Sequence, residues 1–198
     1  MRDQIIPRLL PLDASLANGK TSGDFELNRD SSRTSKLTPA AVLVPLVEHP
    51  SGLTVLLTRR TEHLHDHAGQ VSFPGGRVES QDESPISTAL RETQEEVGIA
   101  PDSVELAGFL DPYETATGFM ITPVVGFIPP QSTLKPDAFE VAEIFEVPMS
   151  FILEPENQQR RQHNVCGTDR WFYVFEYQHH YIWGATAGML MNLSGRLG

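Results

Sequence analysis

The chain has one cysteine, Cys166, in 198 residues, so no internal disulfide can staple it. A lone thiol suits a reducing compartment and reads as a bystander. Positive charge is also scarce. Lysine and arginine number 15 against 26 aspartates and glutamates, a formal net charge of −11, which argues against sequence-independent attachment to nucleic-acid backbones or anionic membranes. A small anionic substrate stays open, because a bound divalent cation reverses the local field even on an acidic protein. No apolar run reaches the length of a membrane span, and "MRDQIIPRLLPLDASL" is too short in its apolar part and too broken by proline for a secretory signal. A cytoplasmic protein is the expectation. With 39% hydrophobic residues, this length suits one compact domain with a substantial core.

What is present is unevenly spread. Residues 1–36 include the polar, serine-rich text "DASLANGKTSGDFELNRDSSRTSK" and read as a flexible or loosely attached arm, with the folded domain over 37–198. The runs "AAVLVPLV" and "LTVLLTRR" around "EHPSG" predict a β-hairpin. "EHLHDHAGQ" has no clean period and reads as a loop, "VSF" as a short strand and "PGG" as a sharp turn. Ser84 with Pro85 behind it marks a helix start, Ile86, Ala89, Leu90 and Val97 its apolar stripe, and Gly98 its stop. Further strands are predicted at "VELAGFL", "ITPVVGFI", "FEVAEIFEVP", "RWFYVFEY" and "YIW", then a helix at "GATAGMLMNL". Strands and helices in this irregular order predict a mixed α/β sandwich rather than a doubly wound sheet.

The text "LRETQEEVGI" places Glu92, Glu95 and Glu96 on neighbouring turns of one helix, where like charges repel. A solvated acidic face is the bland reading. The preceding "FPGGRVE" offers Gly75 and Gly76 directly after a strand, where the backbone can approach a ligand closely. Hard cations such as Mg²⁺ take oxygen ligands and bridge carboxylates to substrate phosphates, so a metal would compensate the crowded glutamates.

These residues resemble the signature of the Nudix hydrolases, G-x5-E-x7-R-E-U-x-E-E-x-G-U with U a bulky apolar residue: Gly76, Arg91, Glu92, Glu95, Glu96, Gly98 and Ile99 fall on it. The spacing from Gly76 to Arg91 is one residue longer than the consensus, so either Asp82 keeps the spacing to the glycine or Glu83 keeps it to the arginine. Thr93 stands at a usually apolar site. The text "LLTRRTEHLHDHAGQVSFPGG" further resembles the coenzyme A pyrophosphatase branch, whose motif reads L-L-T-x-R-S-x3-R-x3-G-x3-F-P-G-G. Leu56, Leu57, Thr58, Arg60, Gly69, Phe73, Pro74, Gly75 and Gly76 match, while Thr61 replaces the serine and His65 the arginine.

The resemblance implies an α/β/α sandwich with a mixed β-sheet and hydrolysis of the coenzyme A diphosphate to 3′-phospho-AMP and 4′-phosphopantetheine. It also implies Mg²⁺ or Mn²⁺ held by Glu95, Glu96 and the Gly76 carbonyl, with Glu92 a third ligand or the general base. Arg91 would orient the glutamates, and a later acid, Glu140 in preference to Glu143 or Glu146, would complete the set. Arg59, Arg60, His65, Gly75 and Gly76 are the candidate substrate contacts. Homodimers are common in that family. Outside these motifs, His63, His65 and His67 read as a solvent-facing loop rather than a zinc cluster, and His179 and His180 as surface residues. Phe73, Trp171, Phe172, Tyr173 and Phe175 could stack a base or simply fill a core, and Phe119 and Met120 could border the site.

Overall fold

The computed structural model describes residues 2–16, 19–28, 36–64, 66–130, 134–165 and 167–198. In chain order its elements are α1 (Arg2–Ile5), β1 (Ser22–Gly23), β2 (Thr38–His49), β3 (Gly52–Arg60), β4 (Val71–Ser72), β5 (Gly75–Arg77), α2 (Pro85–Val97), β6 (Glu105–Phe109), β7 (Tyr113–Glu114) and β8 (Phe119–Ile128). They continue with β9 (Val141–Pro148), α3 (Met149–Leu153), β10 (Gln159–Val165), β11 (Thr168–Tyr177), β12 (His180–Trp183) and α4 (Gly184–Leu197).

Strand β2 is buried almost throughout, which fits a central strand covered on both faces. It runs parallel to β8 and antiparallel to β3 and β5 within a nine-stranded mixed sheet. Its residues alternate between two cores. Ala41 and Leu43 pack with Ala89 of α2, while Val42, Val44 and Leu46 join Leu190 and Leu193 of α4 in the larger core. The sheet is thus sandwiched between α2 and α4, as an α/β/α architecture requires. A second sheet, β10-β11-β12, is antiparallel and packs against α4.

Helix α2 begins as the sequence predicts. The Ser84 hydroxyl accepts from Ser87 N–H at 3.2 Å, and the Ser87 hydroxyl accepts from Ser84 N–H at 2.9 Å, a reciprocal cap that satisfies two free donors. Gly98 ends it in the left-handed conformation, φ 77°. "PGG" differs from the predicted turn: Gly75–Arg77 is a short strand hydrogen-bonded beside β2.

Parts of the segment expected as an arm over residues 1–36 pack on the domain. Ile5 and Leu9 lie in the main core, Leu10 exchanges backbone hydrogen bonds with Phe109, and β1 pairs parallel with β7. Asp24 accepts from the Tyr113 hydroxyl at 2.6 Å and from Ala116 N–H at 2.7 Å. A few apolar anchors and two side-chain acceptors hold this segment, a pattern that its polar composition conceals. Residues 29–35, His65 and Cys166 lie outside the described residues.

Leu9→Ala should therefore cost about 2–4 kcal/mol of unfolding free energy by urea titration. A chain lacking residues 1–28 should melt well below the full chain; equal melting temperatures would return the segment to the status of a loose arm.

Candidate functional site

The site is built on α2 and on the turn and strand before it. Arg91 is its hub. Its Nε and Nη2 donate to the two carboxylate oxygens of Asp82 at 3.1 and 3.0 Å, and its Nη1 donates to Glu92 at 2.9 Å and Glu95 at 3.1 Å. Asp82 also accepts from the Thr88 hydroxyl and from Glu79 N–H, each at 2.9 Å. Hydrogen bonds from Arg91, above all, hold the Asp82 carboxyl well below the usual carboxylate range, and Asp82 in turn raises the Arg91 guanidinium. Glu83 is exposed. Of the two acids left open by spacing, Asp82 is thus the one that meets Arg91.

Two glutamates are withdrawn from water. Glu96 is only 4% exposed; its carboxylate accepts from Gly75 N–H at 3.2 Å and lies 3.7 Å from the Arg60 guanidinium. Burial outweighs both contacts and pushes its carboxyl up to about 8. Glu92 is also raised, chiefly by burial, against the lowering pull of Arg91. Glu95 stays open to solvent.

The glycines make this approach possible. At Gly75, φ is +155° and an added Cβ would stand 2.5 Å from the Ala41 carbonyl oxygen; at Gly76 it would stand 2.4 Å from the Glu92 carboxylate. Thr93, at the usually apolar position, is fully buried with its hydroxyl donating to the Ala89 carbonyl at 2.6 Å, which satisfies it within the helix.

Of the three later acids, Glu140 alone is brought near the box. It lies 3.9 Å from Arg60 and adds to the negative field on Glu92 and Glu96. Thr61 fastens its turn, donating from its hydroxyl to the Phe139 carbonyl at 2.8 Å and from its N–H to Glu140 O at 3.0 Å. Glu143 pairs instead with Arg59 at 3.2 Å, and Glu146 with His49 at 2.6 Å and Thr54 at 2.5 Å. Arg59 and Arg60 diverge because neighbouring strand residues point to opposite faces. Arg60 reaches the box, whereas Arg59 pairs with Glu143 and does not line the cleft.

Beside the box lies a cleft of about 1190 Å³. One wall carries Arg60, Gly75, Gly76, Arg77 and Phe119, with the Arg77 guanidinium 5.3 Å from the Phe119 ring centre. The other carries His163, Arg170, Trp171, Phe172 and Trp183 from the second sheet, closed at one side by Asp24, Phe25 and Asn28. Phe73 belongs to the core and also borders the cleft, Phe175 belongs to the core alone, and Met120 is not in the lining. The sequence reading missed Arg77, His163, Arg170 and Trp183. Strand β10, "QRRQHNV", carries no apolar alternation that would have placed His163 opposite the box.

The chemistry of the donors fits a hard divalent cation. Burial raises the carboxyls of Glu92 and Glu96, a cost that a cation beside them would offset, and the ligand atoms they offer are oxygens. Among the described residues the box carboxylates do not gather into a set with all ligand atoms within 4.8 Å.

A nucleoside-diphosphate chemistry is what this combination defines, and the family comparison agrees: the NUDIX domain model matches residues 37–180, and the chain belongs to the Nudix hydrolases. It is 46% identical over 166 residues to a protein of Enterobacter sp. (strain 638) named "Uncharacterized Nudix hydrolase NudL", covering 80% of this chain and 82% of that one. A protein of the same name from Cronobacter sakazakii is 43% identical over 177 residues, covering 88% and 91%. The fold matches a Nudix hydrolase from M. smegmatis, RenU, with TM-score 0.51 and 23% identity over 60% of this chain and 75% of that one. It matches a MutT/nudix family protein from Enterococcus faecalis, also with TM-score 0.51, at 16% identity over 84% and 64%. No helix among the described residues is long and apolar enough to cross a membrane.

The raised Glu96 carboxyl has a measurable sign. In metal-free protein the fold binds that proton more tightly than the unfolded chain, so stability falls as pH rises from the ordinary carboxylate range through about 8. Metal-free Glu96→Gln should melt above wild type at pH 9 and lose that advantage at pH 4. Added Mg²⁺ should raise the wild-type melting temperature and leave Glu96→Gln nearly unmoved; a pH-independent difference would sink the assignment.

Proposed function

We propose that the protein is a Mg²⁺- or Mn²⁺-dependent pyrophosphohydrolase that cleaves the diphosphate of coenzyme A, or of an acyl or oxidised form, to 3′-phospho-AMP and 4′-phosphopantetheine. The observation that supports this reading is the cleft: it exceeds the roughly 300–1,000 Å³ of ordinary ligand pockets and is lined both by Arg60, Gly75 and Gly76, which contact the carboxylate box, and by aromatic and cationic side chains of the second sheet. A substrate with a base at one end and a diphosphate in the middle matches that sequence of surfaces. The upstream run from Leu56 to Gly76 supports coenzyme A over other nucleoside diphosphates.

In this reading Glu95, Glu96, the Gly76 carbonyl and Glu140 hold the ion, which neutralises phosphate oxygens and polarises the scissile diphosphate when bound. Glu92 is the group that takes a proton from the attacking water at its carboxylate, with Arg91 fixing one oxygen at 2.9 Å. Burial raises its proton affinity, which suits a base more than an exposed carboxylate would. Arg60 positions Glu96 and Glu140. Trp171 and Phe172 offer faces for the adenine, Arg170 and Arg77 offer cations for the substrate's phosphates, and His163 offers a ring nitrogen. The water oxygen forms the new P–O bond, and the bridging oxygen leaves on the other phosphate. A cytoplasmic enzyme acting on a small molecule suits the acidic surface.

Purified protein with Mg²⁺ or Mn²⁺ should convert coenzyme A, in preference to ADP-ribose and NADH, to 3′-phospho-AMP, and a chelator should abolish turnover. Cleavage of another dinucleotide in its place would overturn the coenzyme A reading while keeping the box chemistry. Glu95→Gln should cut kcat by about 10²-fold or more with unchanged folding, the scale of a lost charge-stabilising group.

A further inference from the structure

On the strand face that carries Arg59, away from the carboxylate box, the turn before β12 brings two histidines against strand β9. Nε2 of His180 lies 3.2 Å from Oε1 of Glu143, and Nε2 of His179 lies 3.6 Å from the same oxygen. All three ligand atoms fall within 4.8 Å of one another, and among the described residues no other trio of His, Cys, Asp or Glu does so. A tetrahedral Zn²⁺ with bonds of about 2.0–2.1 Å sets its ligands about 3.3 Å apart, so the two measured edges are near those of such a site.

A second observation points the same way. The His180 side chain is 2% exposed, yet neither ring nitrogen has a hydrogen-bond partner. Nε2 is close enough to Glu143 for a bond, but its in-plane direction misses the oxygen. Two atoms 3.2 Å apart that do not point at each other can share a third point between them. A buried imidazole nitrogen without a partner is costly, and a metal ion would remove that cost.

The surroundings hold the donors in place. The His180 ring stacks on Phe145 at 3.5 Å, with planes 5° apart, and the His179 ring lies 4.0 Å from it. Nε of Arg59 donates to Oε2 of Glu143 at 3.2 Å, which leaves Oε1 directed at the histidines. Such a second partner is what orients a ligating carboxylate.

We infer that Glu143, His179 and His180 form a binding site for a borderline divalent cation, Zn²⁺ in the first place, separate from the oxygen-lined site beside α2. Two imidazoles and one carboxylate select Zn²⁺ over Mg²⁺, which prefers oxygen ligands. His179 is 70% exposed, so the fourth position faces solvent and takes water. The ion would tie the β11–β12 turn to β9 and thereby steady the sheet that supplies Trp171, Phe172 and Trp183 to the cleft.

The test uses the full chain, stripped with chelator and refilled with Zn²⁺ or Co²⁺. His179→Ala is the main variant because that side chain is exposed and its loss leaves the core intact; Glu143→Gln is the second. Equilibrium dialysis should show one Zn²⁺ equivalent in wild type that weakens by at least about tenfold in each variant, and that excess Mg²⁺ does not displace. Co²⁺ in wild type should give the intense visible bands of a tetrahedral site, absent from His179→Ala. Equal Zn²⁺ binding by wild type and both variants, or no such bands in wild type, overturns the site.

Discussion

The grip of Asp82 on Arg91 is the contact on which the carboxylate box depends. The Asp82 side chain is buried and takes both Nε and Nη2 of the guanidinium, which fixes the plane of the group as well as its position. Only after that can Nη1 stand between Glu92 and Glu95 and offset their repulsion. The pair also spans from the turn before α2 to the second turn of the helix, so it sets how the glycine strand and the helix face one another. A lysine could not do this, because one ammonium lacks the fork that fills both oxygens.

The remaining charge balance is set by the backbone. With Gly75 and Gly76 pressed against β2 on one side and Glu92 on the other, no side chain fills the space, and Glu96 is left with one N–H and a distant Arg60. The fold has thus spent stability to hold carboxylates where a cation can use them. Five separate stretches of chain complete the cleft. Lining residues from 24–28, 40–42, 60–77, 114–121 and 163–189 come together because the second sheet packs across the first through α4.

Much of this was legible in the sequence, for identifiable reasons. The hairpin of β2 and β3 and the cap of α2 follow from local chemistry: alternating apolar runs about a turn, and Ser84 before Pro85. Glu92, Glu95 and Glu96 stand out because they repeat at helical spacing. The side chain's choice of face at the sheet was not legible. Arg59 and Arg60 read as equal candidates until pairing with β9 sends them to opposite sides. His180 read as surface because the last strand was expected to begin after it, yet it is the first residue of β12 and its side chain turns to the core. The docking of the N-terminal residues was hidden too, since it rests on partners about ninety residues or more away, such as Tyr113 for Asp24 and Phe109 for Leu10.

Asn28 holds Trp171 by both backbone groups. Its side-chain amide donates to the Trp171 carbonyl at 2.9 Å, and its carbonyl oxygen accepts from Trp171 N–H at 2.8 Å. This is the hydrogen-bond pattern of a neighbouring strand, reproduced by one side chain. Strand β12 pairs only with residues 174–177 of β11, so Trp171 lies where that ladder has already ended. An unpaired ladder end invites another chain to add itself. Asn28 occupies that position, so the N-terminal residues that border the cleft also satisfy the backbone where the β12 ladder stops.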